Sequence, residues 1–268
     1  MGSLITALAS YCHVKQAGGR WLVRIDDLDP PRQDPNAVAL IVRSLHAHGL
    51  QPDRPVDFQS DHAKAYERAL QQLQPHIFYC QCSRRELKKF SRYPGTCRNA
   101  KTLVPDAAIR VAMADGEQQF NDDFLGPMSI DVAAQLGDFI VRRKDGLIAY
   151  NLATAVDDGA NITHVLRGQD LLPVTAPQRH LMKLLDLRPP SYAHIPCLAF
   201  SDGTKLSKQT HAPALDDSIA SRNLRAALWY LGFDAPASLQ SVAAVVNWAV
   251  EHFTLVNVPE RLPPYRAS

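Results

Sequence analysis

The stretch Phe200-Ser-Asp-Gly-Thr-Lys205-Leu-Ser-Lys208-Gln sets two lysines three positions apart on a glycine-containing loop after an apolar segment. Cationic side chains on such a loop can meet a triphosphate. Nucleotidyl transfer builds negative charge on the departing pyrophosphate, and mobile ammonium groups stabilise it. By spacing alone the pair also fits a solvated basic loop. A second cluster, Arg24-Ile-Asp26-Asp27-Leu-Asp29-Pro-Pro-Arg32, crowds three carboxylates at the C-terminal end of an apolar segment, the end where open α/β sheets receive ligands. A carboxylate there can take a substrate ammonium; in the plainer reading the Asp side chains cap a turn ahead of the prolines. A third cluster puts Tyr150, Arg167 and Asp170 at the ends of neighbouring apolar segments. Arg167 can there grip a carboxylate through two parallel hydrogen bonds, or serve as a surface ion-pair residue. Together the clusters describe a site for a small anionic amino acid beside a nucleotide.

Of five cysteines, Cys80, Cys82 and Cys97 crowd one basic segment that also holds Arg84, Arg85, Lys88, Lys89, Arg92 and Arg98. That crowding favours a metal site over a disulfide framework. Three thiolates in reach of one another bind Zn²⁺ tetrahedrally, with His76 or Tyr93 as candidates for the fourth position and free thiols as the alternative. No open-site pattern with an adjacent acid or base points to a catalytic zinc. Cys12 and Cys197 read as buried thiols.

These groups need elements to position them. Leu4, Leu8, Tyr11 and Val14 have helical spacing, and Gly18-Gly19 ends that helix ahead of a short strand, Trp21-Leu-Val-Arg-Ile25. Further helices are expected from about Asn36 to His48, over Asp61 to Gln74 and over Thr175 to Leu185. Strands are expected at Ile109 to Ala112 and His164 to Arg167, and a hairpin over Asp138 to Tyr150 turning at Lys144-Asp-Gly. Alternating helices and apolar strands predict an α/β fold with a parallel sheet. The expected divisions are a first half of the core over 1–79, an insert over 80–103, the second half of the core over 104–212, and a helical tail over 213–268 that starts with Asp216 or Asp217 as N-cap. With 268 residues and 46% apolar content the chain can bury a large core. A formal charge of +2 means that contact with nucleic acid must come from a local patch. No run of about 18 apolar residues and no signal-peptide pattern is present, so the cytoplasm is the expected compartment and no membrane partner is expected.

Read in order, these segments resemble the catalytic domain of glutamyl- and glutaminyl-type class I aminoacyl-tRNA synthetases. Lys205-Leu-Ser-Lys208-Gln is similar to that class's KMSKS signature, Arg24-Ile-Asp-Asp-Leu-Asp29 to its R-I-E-D-x-D segment, and Arg167-Gly-Gln-Asp170-Leu to its R-G-x-D-L segment. W-L-V-R-I, D-P-P-R, A-Y-N-L-A and the Cys-x-Cys/Tyr/Cys pattern resemble its short branch, the glutamyl-queuosine tRNA(Asp) synthetases. The resemblance covers nearly the whole chain. It implies a Rossmann-type core with a zinc-bearing insert and a truncated helical, stem-contacting tail that works as a monomer. The implied activity is ATP-dependent activation of L-glutamate with Mg²⁺, followed by transfer to the queuosine base of tRNA(Asp). The alternatives are a catalytic fragment of a glutamyl-tRNA synthetase and a non-catalytic glutamate- or RNA-binding module.

By the same resemblance, Asp26 contacts the substrate amine, while Tyr150 and Arg167 hold the glutamate carboxylates. Gly2, Ser3, Asp170, Lys205 and Lys208 serve ATP, with Lys205 and Lys208 catalytic, and Cys80, Cys82, Tyr93 and Cys97 bind structural zinc. Two departures stand out. Asp26 takes the place of the usual Glu and is shorter by one methylene. Met1-Gly2-Ser3-Leu4 aligns with the end of the family's H-x-G-[HS] signature, so the His and the first, central strand are expected to be missing from the sheet.

Overall fold

The computed structural model describes residues 1–29, 36–100, 102, 104–113, 117–206 and 214–265. Helix α1 (Gly2–Gln16) buries Leu4, Ile5, Leu8, Ala9 and Cys12. After its glycine stop the chain runs extended. The Trp21 amide donates to Asp53 Oδ2 at 2.6 Å and the indole Nε1 to Ser10 Oγ at 3.1 Å. The expected strand shortens to β1 (Arg24–Ile25), because only these two residues pair in register with β2 (Asp57–Phe58), which lies parallel to it. Between them runs α2 (Ala37–Ala47), which has no fully buried side chain and leaves Leu40 and Ile41 each 47% exposed.

A short 3-10 turn (Gln59–His62) leads into α3 (Ala63–Gln72), whose Tyr66, Ala69 and Leu70 face inward as their spacing predicts. Strand β3 (Ile77–Cys80) follows, then a one-turn helix α4 (Arg84–Leu87) closed by reciprocal Ser83 and Glu86 capping bonds. Strand β4 (Ala108–Val111) runs antiparallel to β3, and β5 (Glu117–Asp122) forms a hairpin with β6 (Gly126–Asp131). After α5 (Val132–Gln135), β7 (Ile140–Arg142) pairs antiparallel with β4.

The expected hairpin over Asp138 to Tyr150 exists as a tight turn, with Ala149 N donating to Val141 O, but Tyr150 is not a strand residue. It opens α6 (Tyr150–Asn161), because extended Ala149 offers its carbonyl to the amides of Leu152 and Ala153. Strand β8 (His164–Gly168), α7 (Leu172–Leu184) and β9 (Ser191–Ile195) form a β-α-β unit with β8 and β9 parallel from His164↔Ser191 to Gly168↔Ile195. The tail carries α8 (Ala220–Tyr230) and α9 (Val242–His252), and the Asp216 side chain caps the 3-10 turn that enters α8.

The sheets are mixed rather than wholly parallel: β1-β2, β3-β4-β7 and β6-β5-β9-β8. The last one joins an antiparallel hairpin to a parallel pair through Asp122↔Tyr192. Strands β1 and β8 belong to different sheets, and no described strand pairs between them. One apolar core is built by α1, α8 and α9 with Leu166, Ala193 and Ile195, and a second by α3, α6 and α7 against β3, β4 and β7. No helix among the described residues is long and apolar enough to cross a membrane.

Candidate active site

A cavity of about 780 Å³ lies between β1, α6 and β8. Strand β1 and the residues flanking it contribute Leu22, Val23, Arg24 and Asp26; β8 contributes Val165, Leu166 and Arg167. Helix α6 presents Tyr150, Thr154, Asp157 and Asp158, which its pitch of about 3.6 residues per turn brings onto one face. Asp26, Tyr150 and Arg167 thus line one cavity.

The cavity wall is densely charged. Arg24 Nε donates to Asp26 Oδ1 at 2.7 Å, and Arg24 Nη1 bonds Asp158 Oδ1. Burial works against a charged Arg24, but Asp158 and Asp26 hold its guanidinium protonated. Burial pushes the Asp158 carboxyl upward, with Arg24 opposing. Asp157 is anchored by Gln59 Nε2, His62 Nδ1 and Tyr66 Oη, each at 2.8 Å. Buried Thr154 Oγ1, on the cavity wall, has no hydrogen-bond partner. Of the three carboxylates clustered in the sequence, only Asp26 faces this space. Asp27 accepts from the Ser60 amide and hydroxyl at 2.8 and 2.6 Å, the capping role of the plainer reading, and Asp29 pairs with Arg143 at 3.3 Å.

Arg167 is no surface ion-pair residue, being only 7% exposed. Its Nε donates to His194 Nε2 at 3.0 Å, and its Nη2 to Thr175 Oγ1 at 2.6 Å and Gln178 Oε1 at 3.0 Å. The guanidinium lies 5.0 Å from the Tyr192 ring centroid. The Nε/Nη2 edge is therefore occupied by protein. Nη1 has no partner among the described residues, so the edge that a carboxylate grip through Nε and Nη2 would need is taken and Nη1 alone is left. His194 Nδ1 lies 2.6 Å from Asp122 Oδ2, and Asp122 Oδ1 accepts the amides of Leu125, Phe124 and His194 at 2.9, 3.1 and 3.2 Å. Although burial opposes it, the bond from His194 and those amides hold the Asp122 carboxyl below the ordinary range.

Gly2, Ser3, Asp170 and Lys205 line a second cavity, of about 580 Å³, which shares Leu22, Val23, Arg24 and Leu166 with the first. Gly2 and Ser3 begin α1, whose free amides and dipole favour an anion. A turn at Gly203, with Phe200 N donating to Thr204 O at 2.8 Å, brings Lys205 against Asp170 Oδ2. Asp170 Oδ1 accepts the Cys197 thiol at 2.9 Å, and despite burial these two partners keep the Asp170 carboxyl low. A Cβ at Gly168 would stand 2.5 Å from Asp170 Oδ1 and 2.8 Å from Cys197 Sγ, so a larger residue there would have to displace this pair of side chains. Lys208, the second lysine of the loop, lies outside the described residues, as does Arg32.

The sulfurs of Cys80, Cys82 and Cys97 lie within 4.8 Å of one another, with Cys82 and Cys97 at 3.6 Å. Zn–S bonds of about 2.3 Å in a tetrahedron separate the sulfurs by roughly 3.8 Å, so the trio fits a divalent metal. The Tyr93 hydroxyl accepts the Cys97 amide at 2.8 Å and bonds Cys80. Burial raises the Cys80 thiol, but Tyr93 and Arg110 bring it down to about 7, while burial and the adjacent thiols push Cys82 up to about 11. A Cys80 thiolate is thus accessible near neutral pH, as a metal ligand requires. His76 does not belong to this ligand group, which among the described residues holds only the three cysteines as His, Cys, Asp or Glu donors.

Sequence reasoning missed His194, Asp122, Thr175, Gln178 and Thr154. The signal for His194 was a histidine in the apolar strand Ser191-Tyr-Ala-His-Ile195, a place where an unpartnered imidazole is costly.

The model of the class I tRNA synthetase catalytic domain (E and Q) matches residues 1–101 and 96–223. A glutamyl-Q tRNA(Asp) synthetase of Pseudomonas fluorescens is 41% identical over 267 residues, covering 97% of this chain and 90% of that relative. One of Thiobacillus denitrificans is 43% identical over 272 residues, with the same coverage of 97% and 90%. Among solved structures, the glutamate-tRNA synthetase of Elizabethkingia anophelis matches with a TM-score of 0.79 at 23% identity, over 99% of this chain and 65% of that one. The chain thus spans slightly less than two thirds of that structure, and the likeness is one of fold.

Proposed function

The chain belongs to the class I tRNA synthetases of the glutamyl and glutaminyl type, and we propose that within this family it activates glutamate with Mg·ATP and transfers the glutamyl group to the queuosine base of tRNA(Asp). The observation that carries the first half is the wall common to the two cavities. One is lined by paired carboxylates and guanidinium groups suited to a zwitterion, the other by a helix N-terminus and a lysine suited to phosphates, and Leu22, Val23, Arg24 and Leu166 line both. Support for the acceptor comes from the similarity to glutamyl-Q tRNA(Asp) synthetases.

In this reading Asp26 receives the substrate ammonium, directly or through one bridging water across the missing methylene. Tyr150 and Arg167 Nη1 take the carboxylates, and Thr154 Oγ1 gains the partner it lacks. An α-carboxylate oxygen attacks the α-phosphorus, a P–O bond forms, and the bond to the β-phosphate breaks to release pyrophosphate. Lys205, Lys208 and the start of α1 stabilise the charge that develops. Mg²⁺, when bound with ATP, would supply further neutralisation of the phosphates. A hydroxyl of queuosine then attacks the acyl carbon, AMP departs with the bonding pair, and the hydroxyl proton passes to solvent. Cys80, Cys82 and Cys97, with Tyr93, hold a structural Zn²⁺. The working form is a cytoplasmic monomer.

Glutamate-dependent ATP–pyrophosphate exchange without tRNA is the test, joined to labelled-glutamate transfer onto queuosine-containing but not unmodified tRNA(Asp). Exchange that requires tRNA would instead identify a glutamyl-tRNA synthetase, and no exchange at all a binding module. Metal analysis should find about one zinc per chain, retained through chelating wash and lost in Cys82→Ala; a metal-free, fully stable chain would remove zinc from the account.

A further inference from the structure

Arg167, Thr175, Gln178, His194 and Asp122 are buried together behind the amino-acid cavity, and only Arg167 reaches its wall. Residues 167, 194 and 122 sit on the neighbouring strands β8, β9 and β5. Arg167↔His194 is a registered pair, and Asp122 pairs with Tyr192. The hydrogen bonds run in one direction. A carboxylate can only accept, so His194 Nδ1 donates to Asp122 across 2.6 Å; Arg167 Nε can only donate, so His194 Nε2 accepts across 3.0 Å, with the Thr175 hydroxyl also 2.8 Å from Nε2. Asp122 thereby fixes the imidazole tautomer that leaves Nε2 as the acceptor. The ring is held flat against Tyr192, with centroids 5.8 Å apart and an interplanar angle of 16°.

From this arrangement we infer that Asp122 and His194 are positioning residues for substrate binding, orienting Arg167 so that Nη1 alone is presented to the glutamate carboxylate. The inference rests on the reading of Arg167 as a carboxylate ligand. Asp122 acts two residues removed from the substrate, through the proton on His194 Nδ1. With the other tautomer, Nε2–H would turn to the Thr175 hydroxyl 2.8 Å away, and Arg167 Nε–H would lose its acceptor and face a donor. Desolvated hydrogen bonds to charged groups are the ones whose loss is most strongly felt.

Two near-isosteric variants separate this from a merely structural role. Asp122→Asn keeps the carbonyl for the amides of Phe124 and Leu125 but offers His194 an N–H, which forces the other tautomer, as a serine-protease triad behaves when its Asp becomes Asn. His194→Gln keeps an acceptor for Arg167 and a donor for Asp122. In ATP–pyrophosphate exchange, Asp122→Asn should raise the glutamate KM by roughly 10- to 100-fold, with kcat and the ATP KM within about threefold. His194→Gln should stay within about fivefold of the parent, and His194→Leu should resemble Asp122→Asn. Melting temperature and the glutamate-induced shift in it are read alongside. An Asp122→Asn chain that folds and binds glutamate like the parent overturns the inference alone. So does a set of variants in which KM follows only the loss of melting temperature. A parent chain with neither glutamate-dependent exchange nor a glutamate-induced shift overturns the reading of the site, and the inference with it.

Discussion

The two cavities share a wall but are built by opposite means. In the first cavity Arg24 is fixed by two hydrogen bonds and Arg167 by three, and a layer of buried polar groups stands behind Arg167. In the second cavity the cationic group that the first does not share is, among the described residues, Lys205, with its side chain 49% exposed and paired to an Asp that is itself 39% exposed. The difference suits what each side would bind in the proposed function. A small amino acid offers few atoms, so discrimination needs donors whose positions are settled before it arrives. A triphosphate offers abundant charge that moves as pyrophosphate departs, and a lysine on a hairpin turn can follow it.

Substitutions on the two sides should therefore fail differently. The largest effect is expected for Arg167→Lys, which keeps the charge but loses the planar fork held by His194, Thr175 and Gln178. Glutamate kcat/KM should fall roughly 100-fold or more, with the ATP KM little changed. An Arg167→Lys enzyme within a few-fold of the parent would mean that the buried layer settles nothing. Lys205→Ala should be milder and reversed in sense: the ATP KM rises about 10-fold, with a salt dependence weaker than the parent's, and the glutamate KM holds. Equal damage to both substrates would show the shared wall, not the lysine, to be what was disturbed.

The smallest expected effect is thermal. The Asp122 and Asp170 carboxyls are both held below their ordinary value in the folded chain. For a depressed carboxyl the stabilisation is fully present above the unfolded value of about 4 and is lost as pH falls through the lower folded value. Buried Asp122 should account for most of this. Asp122→Asn should flatten the fall in melting temperature between pH 5 and pH 3 by about 2–4 °C, and Asp170→Asn by less than about 1 °C. Equal flattening would contradict the contrast between the two sides.

The same contrast separates what was legible in the sequence from what was not. Gly2, Ser3, Asp170 and Lys205 line one cavity, and Asp26, Tyr150 and Arg167 the other, because each group stands at the end of an element whose periodicity or turn chemistry is local. The thiol cluster was legible for the same reason. The layer behind Arg167 was not, because it is assembled from positions 122, 167, 175, 178 and 194, and strand register brings these together without any local pattern. The hairpin β5-β6 was also invisible: Glu117-Gln-Gln-Phe-Asn-Asp122 is too polar to read as a strand, and its pairing with β6 and β9 decides its conformation. Leu147-Ile-Ala-Tyr150 has strand composition, but the Ala149 carbonyl accepts the amides of Leu152 and Ala153, so Tyr150 starts a helix.

The row of Asp122, His194 and Arg167 across three strands also bears on how such a sequence can drift. Each member is acceptable only beside the donor or acceptor its neighbour presents, so a single exchange survives when it keeps both, as His194→Gln does, and exchanges that alter the pattern arrive as matched sets. A library randomised at 122, 167 and 194 together and selected for glutamate activation should return survivors in correlated pairs and triples, while the exposed positions of α2 vary independently of one another.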